Sequence, residues 1–427
     1  MTGPDRSRRH ISLAGYLGSA IEHYDFLIYG TAAALVFPTV FVPHLSPLMA
    51  TVASLGTFAA AFLSRPLGAA VFGHFGDRIG RSRTLVLTLG IMGAATVGVG
   101  LIPGTAEIGL LAPLLLILLR LAQGFALGGE WAGSVLLGTE TAPPGRKGRY
   151  GMFTQLGLGT ALVLANLVFL VVHLTIGDQS AAFLSWGWRL PFLLSVVLVG
   201  VALYVRTRIP EPTLPAEDRD RPEPEGAGLP IADLMRRQSR EVLLGAAAVA
   251  GILMLAYQVT TYITHYATAH LHYSANTVLL AGVLGGLCSV AGVAGSAILS
   301  DTYGPRRFIV VGLTLAVPWS LALLPLVDLG RPLVFTLAVM ATYGLIGTAL
   351  GPLPAFLPGV FPARYRYTAT AVSYNIGGIL GGAIPPVISP ALMNTFGSWA
   401  VGAMMGTMAT VSAIAALRLG PRNTAAV

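Results

Sequence analysis

Residues 73–83 read GHFGDRIGRSR, a short basic stretch between two long apolar runs, 48–73 and 84–103. A similar stretch, LSDTYGPRR at 299–307, again closes a long apolar run. Asp77 and Asp301 are 224 positions apart. A second pair repeats at nearly the same spacing. TETAPPGRKGR contains Arg146, VFPARYRYT contains Arg364, and these lie 218 positions apart. Two motifs at almost one offset indicate a duplicated unit.

Around these loops the chain is mostly apolar. Of 427 residues, 54% are hydrophobic and only 10% charged, against about 25% charged in soluble domains. This excludes a soluble enzyme, a disordered chain and a disulfide scaffold. A membrane-crossing helix needs about 20 apolar residues. Twelve stretches qualify: 14–37, 48–73, 84–103, 109–138, 150–173, 187–206, 241–266, 277–299, 308–327, 332–356, 367–391 and 396–417. They run continuously rather than alternating, which argues against a β-barrel. The predicted fold is an all-α polytopic membrane protein with twelve transmembrane helices in two pseudo-symmetric halves. The halves are 1–206 and 241–427. They are joined by a charged, proline-rich linker, 207–240, read as ending in a short amphipathic helix near 231–240, with simple disorder as the alternative. Parallel six-helix repeats of this kind form transporters.

Charge supplies the orientation. Of the 26 Lys and Arg residues, all but Arg65, Arg120, Arg189 and Arg331 fall on one side of the predicted spans. That side holds both termini, and the positive-inside rule makes it cytoplasmic. The net charge of +8 therefore reflects topology, and nucleic acid is not an expected partner. MTGPDRSRRH at the start leads into an apolar run containing Glu22 and Asp25 with no small-residue cleavage site, so it reads as a first span rather than a signal peptide. Cys288 is the sole cysteine.

The loop at 73–83 resembles the signature of the major facilitator superfamily through Gly73, Asp77, Arg78, Gly80 and Arg81. Further stretches narrow the resemblance to its metabolite:proton symporters. They are GSAIEHYDFLIYG (18–30), FLSRPLGAAVFG (62–73), RLAQGFALGGE (120–130), WGWRLPFLLS (186–195) and FPARYRYTATAVSYNIGGILGG (361–382). The resemblance implies secondary transport by alternating access, in the plasma membrane of a bacterium, of an osmolyte, carboxylate or shikimate-like solute, often with a proton. It leaves the substrate open.

A charge in the hydrocarbon core costs roughly 2.5–3.5 kcal/mol on insertion scales, so each one calls for a partner or a function. Glu22, Asp25 and Tyr29 share one face of the first span, at i, i+3 and i+7. Arg120 and Gln123 lie one turn apart in the fourth. The resemblance implies that Asp25 and Arg120 meet at mid-membrane. Asp25 is then the expected proton carrier, tuned by Arg120, with Glu22 as competitor; the alternative is a static buried ion pair. Arg65, before Pro66, is read as a kink cap, an ion-pair partner or a substrate contact. Glu130 is read as structural and Arg189 as an interfacial anchor.

On the cytoplasmic side Arg78, Arg81, Glu140 and Arg146 can form a charge cluster, as the resemblance implies, that holds the halves together. Asp301 and Arg364 are the second-half counterparts. There Thr302, Pro305 and Gly359 replace residues of the pattern, so the latch is expected to be held mainly by the first half.

YQVTTYITHY at 257–266 places Gln258, Thr261, Tyr262 and His265 on one helical face. With Tyr29, Gln123, Tyr343, Tyr374 and Asn375, and with Gln155 and Asn166 in the fifth span, these are the candidate substrate contacts; the alternative is interhelical hydrogen bonding. Because the spans of the second half hold no Lys or Arg, a small zwitterion, monocarboxylate or hydroxylated acid is favoured over a polyanion. The expected activity is proton-coupled uptake. Export, antiport or uncoupled facilitation are the alternatives. No cofactor is expected, the proton being the coupling ion. No metal site is expected either, since His270 and His272 read as solvated loop residues. The remaining partners are a small-molecule substrate and the bilayer, and the protein is expected to act as a monomer. No HExxH, nucleophile triad or phosphate loop suggests an enzyme.

Overall fold

A computed structural model describes residues 3–79, 81–128, 130–177, 180–208 and 230–420. Most of the linker, 209–229, lies outside the described residues. The described residues form helices and loops, with no strand among them.

Twelve long rods follow one another. They are α1 (Gly3–Leu35), α2 (Pro47–Ile79), α3 (Arg81–Leu101), α4 (Leu111–Leu127 and Glu130–Glu140), α5 (Lys147–Ile176) and α6 (Leu190–Arg208). The second set is α7 (230–269), α8 (Ala275–Tyr303), α9 (Pro305–Val327), α10 (Pro332–Leu350), α11 (366–396) and α12 (Ser398–Arg418). Ten spans are long and apolar enough to cross a membrane by length and composition alone. Of the other two, α1 carries Glu22 and Asp25 in its middle, and α3 is apolar over its described stretch Val86–Leu101.

Two rods are interrupted by a π-turn. α7 widens at Gln258–Ile263 and α11 at Gly378–Ala383. α7 also begins with the expected amphipathic segment, set off by a non-helical break at Gln238 (φ −133°). Asp233 anchors that segment through a 2.8 Å bond from Arg237 and a hydrogen bond from the Tyr365 hydroxyl.

Glycine decides how close the rods come. A Cβ on Gly124 or Gly128 of α4 would overlap the backbone carbonyl of Ala61 or Arg65 in α2. In the second half, one on Gly381 of α11 would overlap the Ala250 carbonyl of α7. Small residues allow this approach where lipid offers no hydrophobic drive for helix association. α2 packs on α11 and α5 on α8, and these two pairings are the most extensive between the halves.

Candidate functional site: a closed centre between two latches

The centre is built from α1, α2, α4 and α11. A cavity of about 20 Å³ is lined by Glu22, His23, Phe26, Arg65, Leu127, Trp131, Tyr374 and Asn375. That is room for about one water molecule and none for a metabolite. Two contacts close it across the halves. Trp131 of α4 stacks on Tyr374 of α11, ring centroids 3.7 Å apart and nearly parallel. Asn375 Nδ2 donates to the Gly128 carbonyl at 2.8 Å, where the first piece of α4 ends. Tyr374, Asn375 and Glu22 thus line one cavity.

Beside the cavity, two buried guanidinium groups flank an aromatic cluster. Arg65 Cζ lies 4.6 Å from the Phe26 ring centre and 4.4 Å from that of Phe62. Arg120 Cζ lies 4.0 Å from Phe26, 4.1 Å from Tyr29 and 4.9 Å from Phe58. Ring faces compensate a desolvated cation through their quadrupoles, by about 2 kcal/mol or more. Arg65 Nε and Arg120 Nη2 are buried without hydrogen-bond partners in the structure. Arg65, left open in the sequence between a kink cap, an ion-pair partner and a substrate contact, lies on ring faces beside the cavity.

The expected direct pair of Asp25 and Arg120 is not formed; no N···O distance between them reaches 4.0 Å. A chain of neutral groups stands between them instead. Arg120 Nη1 donates to Gln123 Oε1 at 2.9 Å, and Gln123 Nε2 donates to Thr96 Oγ1 at 2.7 Å. Thr96 adjoins Asp25 but gives its own proton to the Met92 carbonyl at 2.9 Å. Asp25 is fully buried, and Ser195 Oγ donates to its Oδ1 at 2.6 Å. Gln123 therefore faces α3 rather than the cavity. An extended sequence cannot show that Thr96 and Ser195, on α3 and α6, converge on α1.

The polar face of α7 is distributed among neighbours. Gln258 donates to Ser389 at 2.7 Å. Thr261 turns back to the Tyr257 carbonyl, and its methyl group lies against Gly30 of α1. Tyr262 is buried with its hydroxyl unpartnered. Tyr343 bonds Thr260 at 2.7 Å beside a second small cavity that Asn166 also lines. The π-turn explains the dispersal: its wider step ends the i, i+3, i+4 register on which the single-face reading rested. His265 reaches α1 and α2, as described further on.

On the side of the N-terminus, Asp301 and Glu140 join the two halves. Asp301, at the end of α8, accepts the backbone N–H groups of Gly148 (2.6 Å) and Arg149 (3.2 Å) in the first turn of α5. The Arg149 guanidinium adds a 3.5 Å ion pair. A carboxylate at a helix N-terminus satisfies orphan donors and complements the dipole. Glu140 pairs at 3.9 Å with Arg366 of the second half, and no ion pair joins it to Arg146 among the described residues. Arg364 instead reaches Asp233, in the amphipathic start of α7, at 3.5 Å. The side chains of Asp77, Arg78 and Arg81, the Gly73 surface and all of Gly80 lie outside the described residues. Glu130 is buried in the first turn of its helix, where an acid suits the dipole. Arg189 caps the end of α3, donating to the carbonyls of Gly100 (2.9 Å) and Ile102 (2.5 Å).

Two discontinuous repeats enclosing a charged centre call for comparison with known membrane carriers. Residues 16–385 match the family profile described as Major Facilitator Superfamily. The chain belongs to that superfamily. It is 41% identical to the inner membrane metabolite transport protein YhjE of Escherichia coli K12, covering 97% of this chain and 94% of that one. It is 37% identical to the shikimate transporter of the same organism, over 92% and 89%. The fold is that of the D-xylose-proton symporter crystal structure, with TM-score 0.77 at 18% identity over 96% and 98% of the chains. The protein is thus a multi-pass inner-membrane transporter of metabolites, of the major facilitator superfamily, and not an enzyme.

Proposed function

We propose that this chain imports a small carboxylate-bearing solute together with a proton. The observation that carries the reading is Asp25: a fully buried carboxyl with one hydroxyl donor and no cation within 4.0 Å. Leaving such a group charged in hydrocarbon is costly unless it is paired. Taking up a proton removes that cost, so Asp25 is the carrier and the proton the coupling ion, with no other cofactor. Arg120 acts on it through Gln123 and Thr96 rather than by contact.

Arg65 is the receptor for the substrate carboxylate, since its Nε lies buried and unpartnered beside the cavity. Glu22, on the same cavity, selects a hydroxyl or ammonium group at the other end of the solute. A monocarboxylate with hydroxyls or a zwitterion fits this pair better than a polyanion, and the likeness to a shikimate transporter agrees. Both termini face the cytoplasm, as the arginine distribution requires, and one chain in the bilayer is the working unit.

The test uses purified protein in liposomes with a trapped pH dye. Betaine, proline, ketoglutarate, citrate, shikimate and simple monocarboxylates are added singly. Internal acidification by a monocarboxylate or zwitterion, absent in Asp25→Asn, is the expected result. Uptake without proton movement, or full coupling in Asp25→Asn, would sink the reading.

A further inference from the structure

We propose that His265 is the bolt of the outer gate, closing the side of the transporter opposite the N-terminus. Chain direction places it there: α1 ends, α2 begins and α7 ends on that side, whereas Asp301 and Gly148 lie on the other. His265 lies two residues past the π-turn of α7. Its Nδ1 lies 2.9 Å from the Ala34 carbonyl of α1, and its Nε2 lies 2.9 Å from Thr51 Oγ1 of α2. Both partners belong to the first half and His265 to the second. No outward-open state can keep these bonds.

The site is built to receive it. In the helix α1, the Ala34 carbonyl would accept from the backbone nitrogen of residue 38, but that residue is Pro38 and has no N–H. The carbonyl is left over at a helix end, and the imidazole satisfies it. A carbonyl only accepts, so Nδ1 must be the donor. Thr51 is less constrained, because its hydroxyl also lies 2.9 Å from the Pro47 carbonyl. With a neutral ring, Thr51 donates to Nε2. With a charged ring, Nε2–H donates to Thr51, whose proton turns to Pro47. The bolt keeps both bonds in either protonation state.

Few other charges act on it. His270 stands near it, just past the end of α7, and the neighbouring Tyr266 bonds Asp328 at 2.8 Å at the end of α9. Beyond Phe26, α1 offers only Tyr29 as a titratable group; the first turns of α2, and α11 from Ile384 to Phe396, offer none. The gate is therefore opened by what happens at the centre, not by external pH.

The test uses the full chain in cells, with Cys288→Ser and a reporter cysteine at Thr261, one turn inside the bolt and buried. A membrane-impermeant maleimide is applied from outside. Labelling should be slow with His265 present, at about pH 6 as at about pH 8. His265→Ala should speed it about tenfold. In a separate pair, Thr51→Cys with His265→Cys, oxidation should block transport and reduction restore it. Unchanged labelling in His265→Ala, or full transport by the oxidised pair, would overturn the proposal. So would parent labelling that rises severalfold between the two pH values. None of these readouts depends on proton coupling at Asp25, so the two proposals can fail separately.

Discussion

Ser195 of α6 donates a 2.6 Å hydrogen bond to Asp25 of α1, and no cation stands within reach of that carboxyl. Asp25→Asn keeps the shape and the Ser195 bond but cannot carry a proton. We expect it to lose accumulation against a gradient while keeping labelled-substrate exchange. Ser195→Ala should act more weakly. Loss of exchange as well in Asp25→Asn would assign the residue to folding or binding instead.

Gln123 touches Arg120 and Thr96, not the cavity. Gln123→Leu should lower the transport rate while leaving KM within about twofold, the pattern of a group that does not bind the ground state. Initial rates at varied substrate decide this. A large rise in KM would restore Gln123 to the substrate site.

Arg65→Gln removes the guanidinium whose Nε lies unpartnered beside the cavity. A charged hydrogen bond is worth about 1.5–3 kcal/mol, so KM should rise roughly ten- to hundredfold. Arg65→Lys should recover part of it, keeping the charge but not the planar fork. Equal KM in all three proteins would remove Arg65 from recognition.

Asp301→Ala strips the cap from α5 and weakens the closed inner side. Capping side chains contribute about 0.5–2 kcal/mol, enough to shift a two-state balance severalfold. Cysteines on the inner path should label faster from the cytoplasmic side. Thr302→Ala, at an exposed neighbour, should change nothing.

Gly124→Ala drives a methyl into the Ala61 carbonyl, which cannot yield as a side-chain tip would. Overpacking of this kind costs about 1–3 kcal/mol. A lower thermal midpoint in detergent is the expected outcome. Gly56→Ala and Gly344→Ala, which meet open space, should be neutral or slightly stabilising and serve as controls.

Hydropathy, charge and the repeated loops at Asp77 and Asp301 were enough to determine twelve spans, two halves and an interior holding Glu22, Asp25, Arg65 and Arg120. Those properties are local: a run of apolar residues must be buried in lipid wherever it packs, and a charge inside it is conspicuous at once. The identity of each charge's neighbour was not local. Asp25 meets Ser195, 170 positions away, and Asn375 meets Gly128, 247 positions away. Only the close approach of rods at their glycines sets which side chains converge. The two π-turns changed the rest, because one wider turn moves every following residue off the face that a 3.6-residue period assigns. That is why His265, read as a cavity residue in the sequence, closes on Ala34 and Thr51 in the fold.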